Sequence, residues 1–162
     1  MTTATLNDSK STFATISIPT EVSEGRVRDL LCGAFEGGSG YWISSVTKHY
    51  AEGVVAEDFK VESDIGGPYT PAGRFTLEGD YWPSVMLIPF VQGCYLTLTV
   101  EDEVDSDPPK TYKLDRDTMK RGLEIMAANE PKHFADFLDE NDDAHTADVF
   151  LQTCLFGEAI YG

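Results

Sequence analysis

The chain has 162 residues and a formal net charge of −16, from 28 Asp and Glu against 12 Lys and Arg. A charge this negative repels nucleic acid and anionic membranes and attracts basic partners. Direct binding to nucleic acid or to a membrane is therefore not expected. Hydrophobic residues make up 41% of the chain, too many for a disordered acidic tail. We therefore expect one globular domain over residues 1–162, with a flexible start over residues 1–11.

The compartment follows from three features of the chain. Residues 1–10 are polar and lack the cationic and apolar stretches of a secretory signal. The longest apolar run, near residues 85–91, is far too short to span a bilayer. The chain has three cysteines, Cys32, Cys94 and Cys154. Their odd number and wide spacing favour free thiols in a reducing compartment. These features predict a cytoplasmic protein.

The first elements are a strand, a helix and a second strand. Alternation predicts a short strand over residues 13–18. Ser23 is a good N-cap for a helix that runs to about Glu36, because apolar residues recur there at the spacing of one buried face. Glycines end this helix, and a strand is expected from about residue 41 to residue 47.

The middle of the chain predicts a surface excursion followed by a hairpin. Residues 49–81 are rich in Gly, Pro and acid, with short strands expected near Val54 and Phe75. Residues 85–88 and 95–100 are apolar or alternating, and they predict two antiparallel strands joined by a glycine-containing loop.

The C-terminal third has helical spacing. Asp115 is expected to cap a helix to about residue 129, and Pro131 to open a short helix. Asn141 or Asp143 is expected to cap a last helix. Gly122, inside the helix that Asp115 caps, predicts a close contact between that helix and the sheet. Strands followed by helices indicate an α+β fold, an antiparallel sheet with helices packed on one face.

A glycine-rich turn, Gly37–Gly40, could expose backbone N–H groups to a phosphate. Phosphate cradles lie between a strand and a helix, however, whereas this turn follows a helix and precedes a strand, and no lysine follows it. A helix C-cap is the favoured interpretation. The alternative is a small-ligand site formed by Gly38, Ser39, Tyr41 and Trp42.

Acidic residues are concentrated in two segments. Residues 101–107 hold five acids and no base, and residues 130–148 hold seven acids and one lysine. Carboxylates spaced like a phosphate backbone could occupy the Lys- and Arg-lined groove of a nucleic-acid-binding protein; the alternative is that they only keep the protein soluble. The residues expected to contact a basic partner are Glu101, Asp102, Glu103, Asp105, Asp139, Glu140, Asp142 and Asp143.

The sequence gives only weak indications of metal binding and of catalysis. His133 with Asp136, and His145 with Asp148, would each share a helix face and could supply nitrogen and oxygen ligands. Nothing in the spacing makes the two helices face each other, so solvated helix faces are favoured and no metal or other cofactor is expected. Because no histidine accompanies a candidate nucleophile, no catalytic residue is assigned and an enzyme is not predicted.

Three segments, Ala34–Trp42, Tyr112–Gly122 and Ala147–Gly162, resemble small acidic proteins encoded by bacteriophages and prophages. They carry a Gly-Gly-x-x-Tyr-Trp sequence and a closing Phe-Gly-Glu-x-x-Tyr-Gly sequence. The resemblance implies a phage origin and assigns no activity. Together with the charge, it predicts an inhibitor of a bacterial defence or nucleic-acid-binding system that binds a basic host protein. A nucleotide-sequestering protein and a virion or assembly component are the alternatives.

Overall fold

The structure is a computed structural model. It describes residues 19–55, 76–77, 82–103 and 108–162. The flexible start predicted over residues 1–11, the strand predicted over residues 13–18 and Asp105 lie outside these ranges.

Four strands form one sheet: β1 (Ile43–His49), β2 (Thr76–Leu77), β3 (Tyr95–Val100) and β4 (Thr111–Leu114). Their order is β2-β1-β3-β4, and β3 pairs antiparallel with both β1 and β4. Only the two-residue β2 runs parallel to its neighbour β1. Alternate residues of β3 are fully buried, so one face of the sheet packs in the core.

The hairpin predicted from residues 85–88 is wrong. These residues belong to helix α2 (Trp82–Leu87) and a 3₁₀ turn (Ile88–Phe90), and β3 pairs with β1 instead. Val85 and Ile88 are both buried at a three-residue spacing that suits one helix face. A short apolar run has no periodicity that separates a strand from a buried helix, which is why the prediction failed here.

Helix α1 (Glu24–Gly33) begins where the sequence predicts. The Ser23 hydroxyl oxygen accepts a hydrogen bond from the Arg26 backbone N–H at 3.3 Å, which satisfies one of the free donors at the helix start. The helix continues into a π-helical turn (Ala34–Gly38).

Three helices make the C-terminal third, as predicted: α3 (Arg116–Asn129), α4 (Pro131–Leu138) and α5 (Ala144–Phe156). Asp115 and Thr118 form a capping box before α3, and Asp143 rather than Asn141 caps α5. With the antiparallel strands, these helices confirm the α+β class.

Helix α5 lies at the centre of the molecule. It contacts α1, the π-helical turn, α3, α4 and β4, and nine consecutive residues, Thr146–Cys154, are buried. Gly122 of α3 lies against Cys154 of α5. The close contact predicted at Gly122 is therefore present, but its partner is a helix rather than the sheet.

No helix in the described part of the chain combines the length and the apolar character needed to cross a membrane.

Candidate functional site

A buried carboxylate in α5 organises the polar interior. Asp148 is only 2% exposed. Its Oδ1 accepts hydrogen bonds from Ser39 Oγ at 2.6 Å and Trp42 Nε1 at 2.7 Å. Its Oδ2 accepts from Tyr41 Oη at 2.9 Å and Gln152 Nε2 at 2.8 Å. Four donors converge on one carboxylate, which offsets the desolvation of a buried polar group.

Gln152 extends this network to the residues that follow α5. Its Oε1 accepts from the backbone N–H groups of Ile160 and Tyr161, both at 2.7 Å, and its Nε2 also donates to Tyr161 O at 3.0 Å. The Tyr161 ring stacks on Trp42, with centroids 5.4 Å apart and planes 6° apart. The tail after α5 is thus fixed over the buried end of β1.

Three residues of the predicted small-ligand site, Ser39, Tyr41 and Trp42, donate hydrogen bonds to Asp148. Ser39 and Trp42 are buried, and a side chain at Gly38 would overlap the Ala144 carbonyl at the start of α5. Tyr41 is 48% exposed, and burial of its hydroxyl, with the Asp148 hydrogen bond, raises its pKa to about 12. Since a carboxylate here repels phosphate, the geometry does not favour an anionic ligand; ligand binding by these residues stays a prediction.

Gln152 was not predicted as part of a site, and Asp148 was considered only as a metal ligand beside His145. The available signal was the position of Asp148 directly before the apolar run Val149–Leu151, because a buried acid requires partners. The four-residue spacing to Gln152 places both side chains on one helix face.

Two of the predicted partner-binding acids line an acidic groove. The groove has a volume of about 320 Å³ and lies where α1 and the π-helical turn meet the start of α5. Asp142 and Asp143 contribute from the loop before α5, and Asp29 and Glu36 contribute from the opposite side. The fold therefore brings together carboxylates from two segments that are more than 100 residues apart in the chain.

Asp142 and Asp143 also stabilise the fold. Asp142 Oδ1 lies 2.6 Å from Arg26 Nη2, which also donates to Phe137 O at 2.7 Å; the hydrogen bond to Asp142 raises the pKa of Arg26. Asp143 accepts from the Thr146 N–H at 2.8 Å, and this bond lowers the pKa of Asp143 below its usual value. Substitution of either acid would therefore disturb the fold as well as the charge of the groove.

The other predicted partner-binding acids lie elsewhere. Asp139 and Glu140 are exposed just after α4, with Glu140 in the left-handed region at φ 56°. Glu101 and Asp102 are exposed in a 3₁₀ turn after β3, where the Glu101 N–H donates to Trp42 O at 2.8 Å. The side chain of Glu103 lies outside the described part of the structure.

Several cations are already paired within the molecule. Besides the Arg26–Asp142 pair, ion pairs of 2.7–2.9 Å join Lys113 to Asp115, Arg116 to Glu24 and Lys132 to Asp136. A second cleft of about 430 Å³ is lined in part by Lys113 and Arg116, and its two cations are held by these pairs. This cleft therefore offers no excess positive charge to an anion.

The two His-x-x-Asp pairs separate in the fold. Asp136 binds Lys132 and Asp148 turns inward, whereas His133 and His145 approach each other across α4 and α5. Within the described ranges, no three His, Cys, Asp or Glu side chains converge to hold a metal ion. All three cysteines are free, and burial raises the pKa of Cys32 to about 12.

Comparisons with protein-family models, with curated proteins and with solved structures each gave no match.

Proposed function

We propose that the chain is a phage-encoded acidic protein that acts in the host cytoplasm. It binds a basic host protein, a component of a defence or nucleic-acid-binding system, and inhibits it by occupying the surface that grips nucleic acid. The observation that carries this proposal is the acidic groove, in which Asp29, Glu36, Asp142 and Asp143 converge.

The charge of the groove supports a basic partner. Four carboxylates line the groove, and two of them are near the Arg26 guanidinium, which is bound to Asp142 and lies 3.8 Å from Asp29. Four negative charges and one positive charge leave an excess of three negative charges. Lys and Arg side chains that bind phosphates make their strongest hydrogen bonds with such ionised oxygens. Asp139 and Glu140 lie in the same loop as Asp142 and extend the acidic surface.

The test is affinity capture from a bacterial host lysate, with elution by increasing salt. We expect basic nucleic-acid-binding proteins that elute early, because salt screens contacts between exposed charges. The double variant Asp29→Asn/Glu36→Gln should release them at lower salt than the unmodified chain. Both of these acids are exposed, and neither caps a helix.

The matched control is Glu52→Gln/Glu124→Gln, which removes the same charge from two exposed residues outside the groove. If both double variants shift elution equally, bulk charge rather than the groove is responsible. Capture of neutral or acidic proteins alone would contradict the proposal. Inhibition itself is measured as loss of nucleic-acid binding by the captured protein when the chain is added.

A further inference from the structure

Two of the three histidines of this chain meet at the junction of α4 and α5. The rings of His133 and His145 have centroids 4.8 Å apart and planes at 83°. The third histidine, His49, lies in β1, stacked on Tyr95 at 4.3 Å and 2.8 Å from Thr97 Oγ1 through its Nε2. Only the first pair brings two imidazoles together.

The Nδ1 atom of His133 has a hydrogen-bond partner on α5, which leaves Nε2 as the nitrogen available to an ion. His133 Nδ1 lies 3.1 Å from Thr146 Oγ1. When Nδ1 carries the ring proton, the Thr146 hydroxyl oxygen accepts it, and the lone pair that could bind an ion is on Nε2. Metal-binding histidines are oriented in the same way, by a hydrogen bond from the nitrogen that does not bind the metal.

The separation of the two rings suits a shared ion. With metal–nitrogen bonds of about 2.0–2.1 Å, two imidazoles on one ion have centroids about 4.5 Å apart at a bond angle of about 90°, and about 5.2 Å apart at a tetrahedral angle. The observed 4.8 Å lies between these values. His145 is exposed, so its ring can turn towards the ion and water can complete the coordination.

We infer that His133 and His145 form a binding site for one divalent first-row transition-metal ion, of the kind that imidazole prefers: Zn²⁺, Ni²⁺ or Cu²⁺. The ion would join α4 to α5 across the loop that supplies Asp142 and Asp143 to the acidic groove. The negative charge of Asp143 and of the whole chain attracts the cation. The inference is independent of the proposed function, because it needs no partner protein.

The experiment is calorimetric titration of the full chain, without an affinity tag, with ZnCl₂ and with NiCl₂ at about pH 7.5. We expect one ion per chain and much weaker binding at about pH 5.5, because protonated imidazole does not bind metal. His133→Gln and His145→Gln should each weaken binding more than tenfold, and Thr146→Val by about tenfold through loss of the orienting hydrogen bond. His49→Gln and Cys32→Ser, the controls, should bind as the unmodified chain does.

Electron paramagnetic resonance of the Cu²⁺-loaded chain counts the ligands directly, with hyperfine splitting from two imidazole nitrogens expected. Circular dichroism of each variant verifies that it is folded. Absence of one-to-one binding by the unmodified chain would overturn the inference. So would undiminished binding by a folded His133→Gln/His145→Gln variant, or an equal loss in His49→Gln or Cys32→Ser.

Discussion

Asp148 shows how one residue can determine the conformation of distant segments. Its carboxylate accepts from Ser39, Tyr41 and Trp42, which lie just before β1, and from Gln152 on its own helix. The buried donors Ser39 and Trp42 need an acceptor, since an unpaired polar group in the core costs about 1–3 kcal/mol. The Gly-Gly-x-x-Tyr-Trp sequence thus has a structural role of its own.

Asp148→Ala should therefore lower the free energy of unfolding by about 3 kcal/mol or more, because it leaves several buried donors without a partner. Urea denaturation monitored by circular dichroism measures the change. Glu124→Ala, at an exposed position of α3, is the control, with an expected change within about 0.5 kcal/mol. Equal stability of the two variants would contradict the importance assigned to this network.

At the scale of elements, local signals predicted helices well. Ser23, Asp115 and Asp143 each cap the helix that follows, because an N-cap acts within four residues and is visible in the sequence. Strands were harder, since pairing joins distant segments. Residues 85–88 were assigned wrongly, and β4 was missed because four residues with one fully buried side chain give little alternation.

The candidate site was predictable only in part. The sequence located Asp142 and Asp143 in an acidic run, but Asp29 and Glu36 belong to another segment and reach the groove through the packing of α1 against α5. Likewise, the spacing of His133 and His145 could not show that their rings meet. In each case the missing information was the relative position of two helices.

The packing of α3 on α5 can be tested at Gly122, with Gly25 of α1 as a comparison. A Cβ atom at Gly122 would lie 2.8 Å from Cys154 Cα, so Gly122→Ala should destabilise the fold by about 1–3 kcal/mol despite the better helix propensity of alanine. A Cβ atom at Gly25 in α1 would have no neighbour closer than 3.9 Å. Gly25→Ala should therefore stabilise the fold by up to about 1 kcal/mol. Thermal unfolding of both variants measures the two effects, and a stabilising Gly122→Ala would show that the helices are less tightly packed.

At the scale of the whole molecule, a net charge of −16 produces self-repulsion that folding must overcome. The ion pairs of Arg26, Lys113, Arg116 and Lys132 place cations beside acids but leave the excess of acid unchanged. The charge therefore opposes folding while it favours a basic partner, and salt should affect the two processes in opposite directions.

Raising NaCl from about 0.02 M to about 0.5 M shortens the screening length to a few ångströms. We expect the Tm of the isolated chain to rise by about 2–4 °C, the shift that about 1 kcal/mol produces in a protein of this size. Differential scanning calorimetry at several salt concentrations measures it. A Tm that falls with salt would mean that the internal ion pairs outweigh the repulsion.

The hydrogen bonds of Asp148 to Ser39, Tyr41 and Trp42 span 106–109 residues, and the Arg26–Asp142 pair spans 116. Closing loops of this length has an entropic cost that precedes any gain from the contacts, and contacts between such distant residues slow folding. An intermediate that has formed α1 and β1 but not α5 would leave the Trp42 indole N–H and the Ser39 hydroxyl without their acceptor. We therefore expect the segment before β1 and α5 to acquire their native structure in the same step of folding.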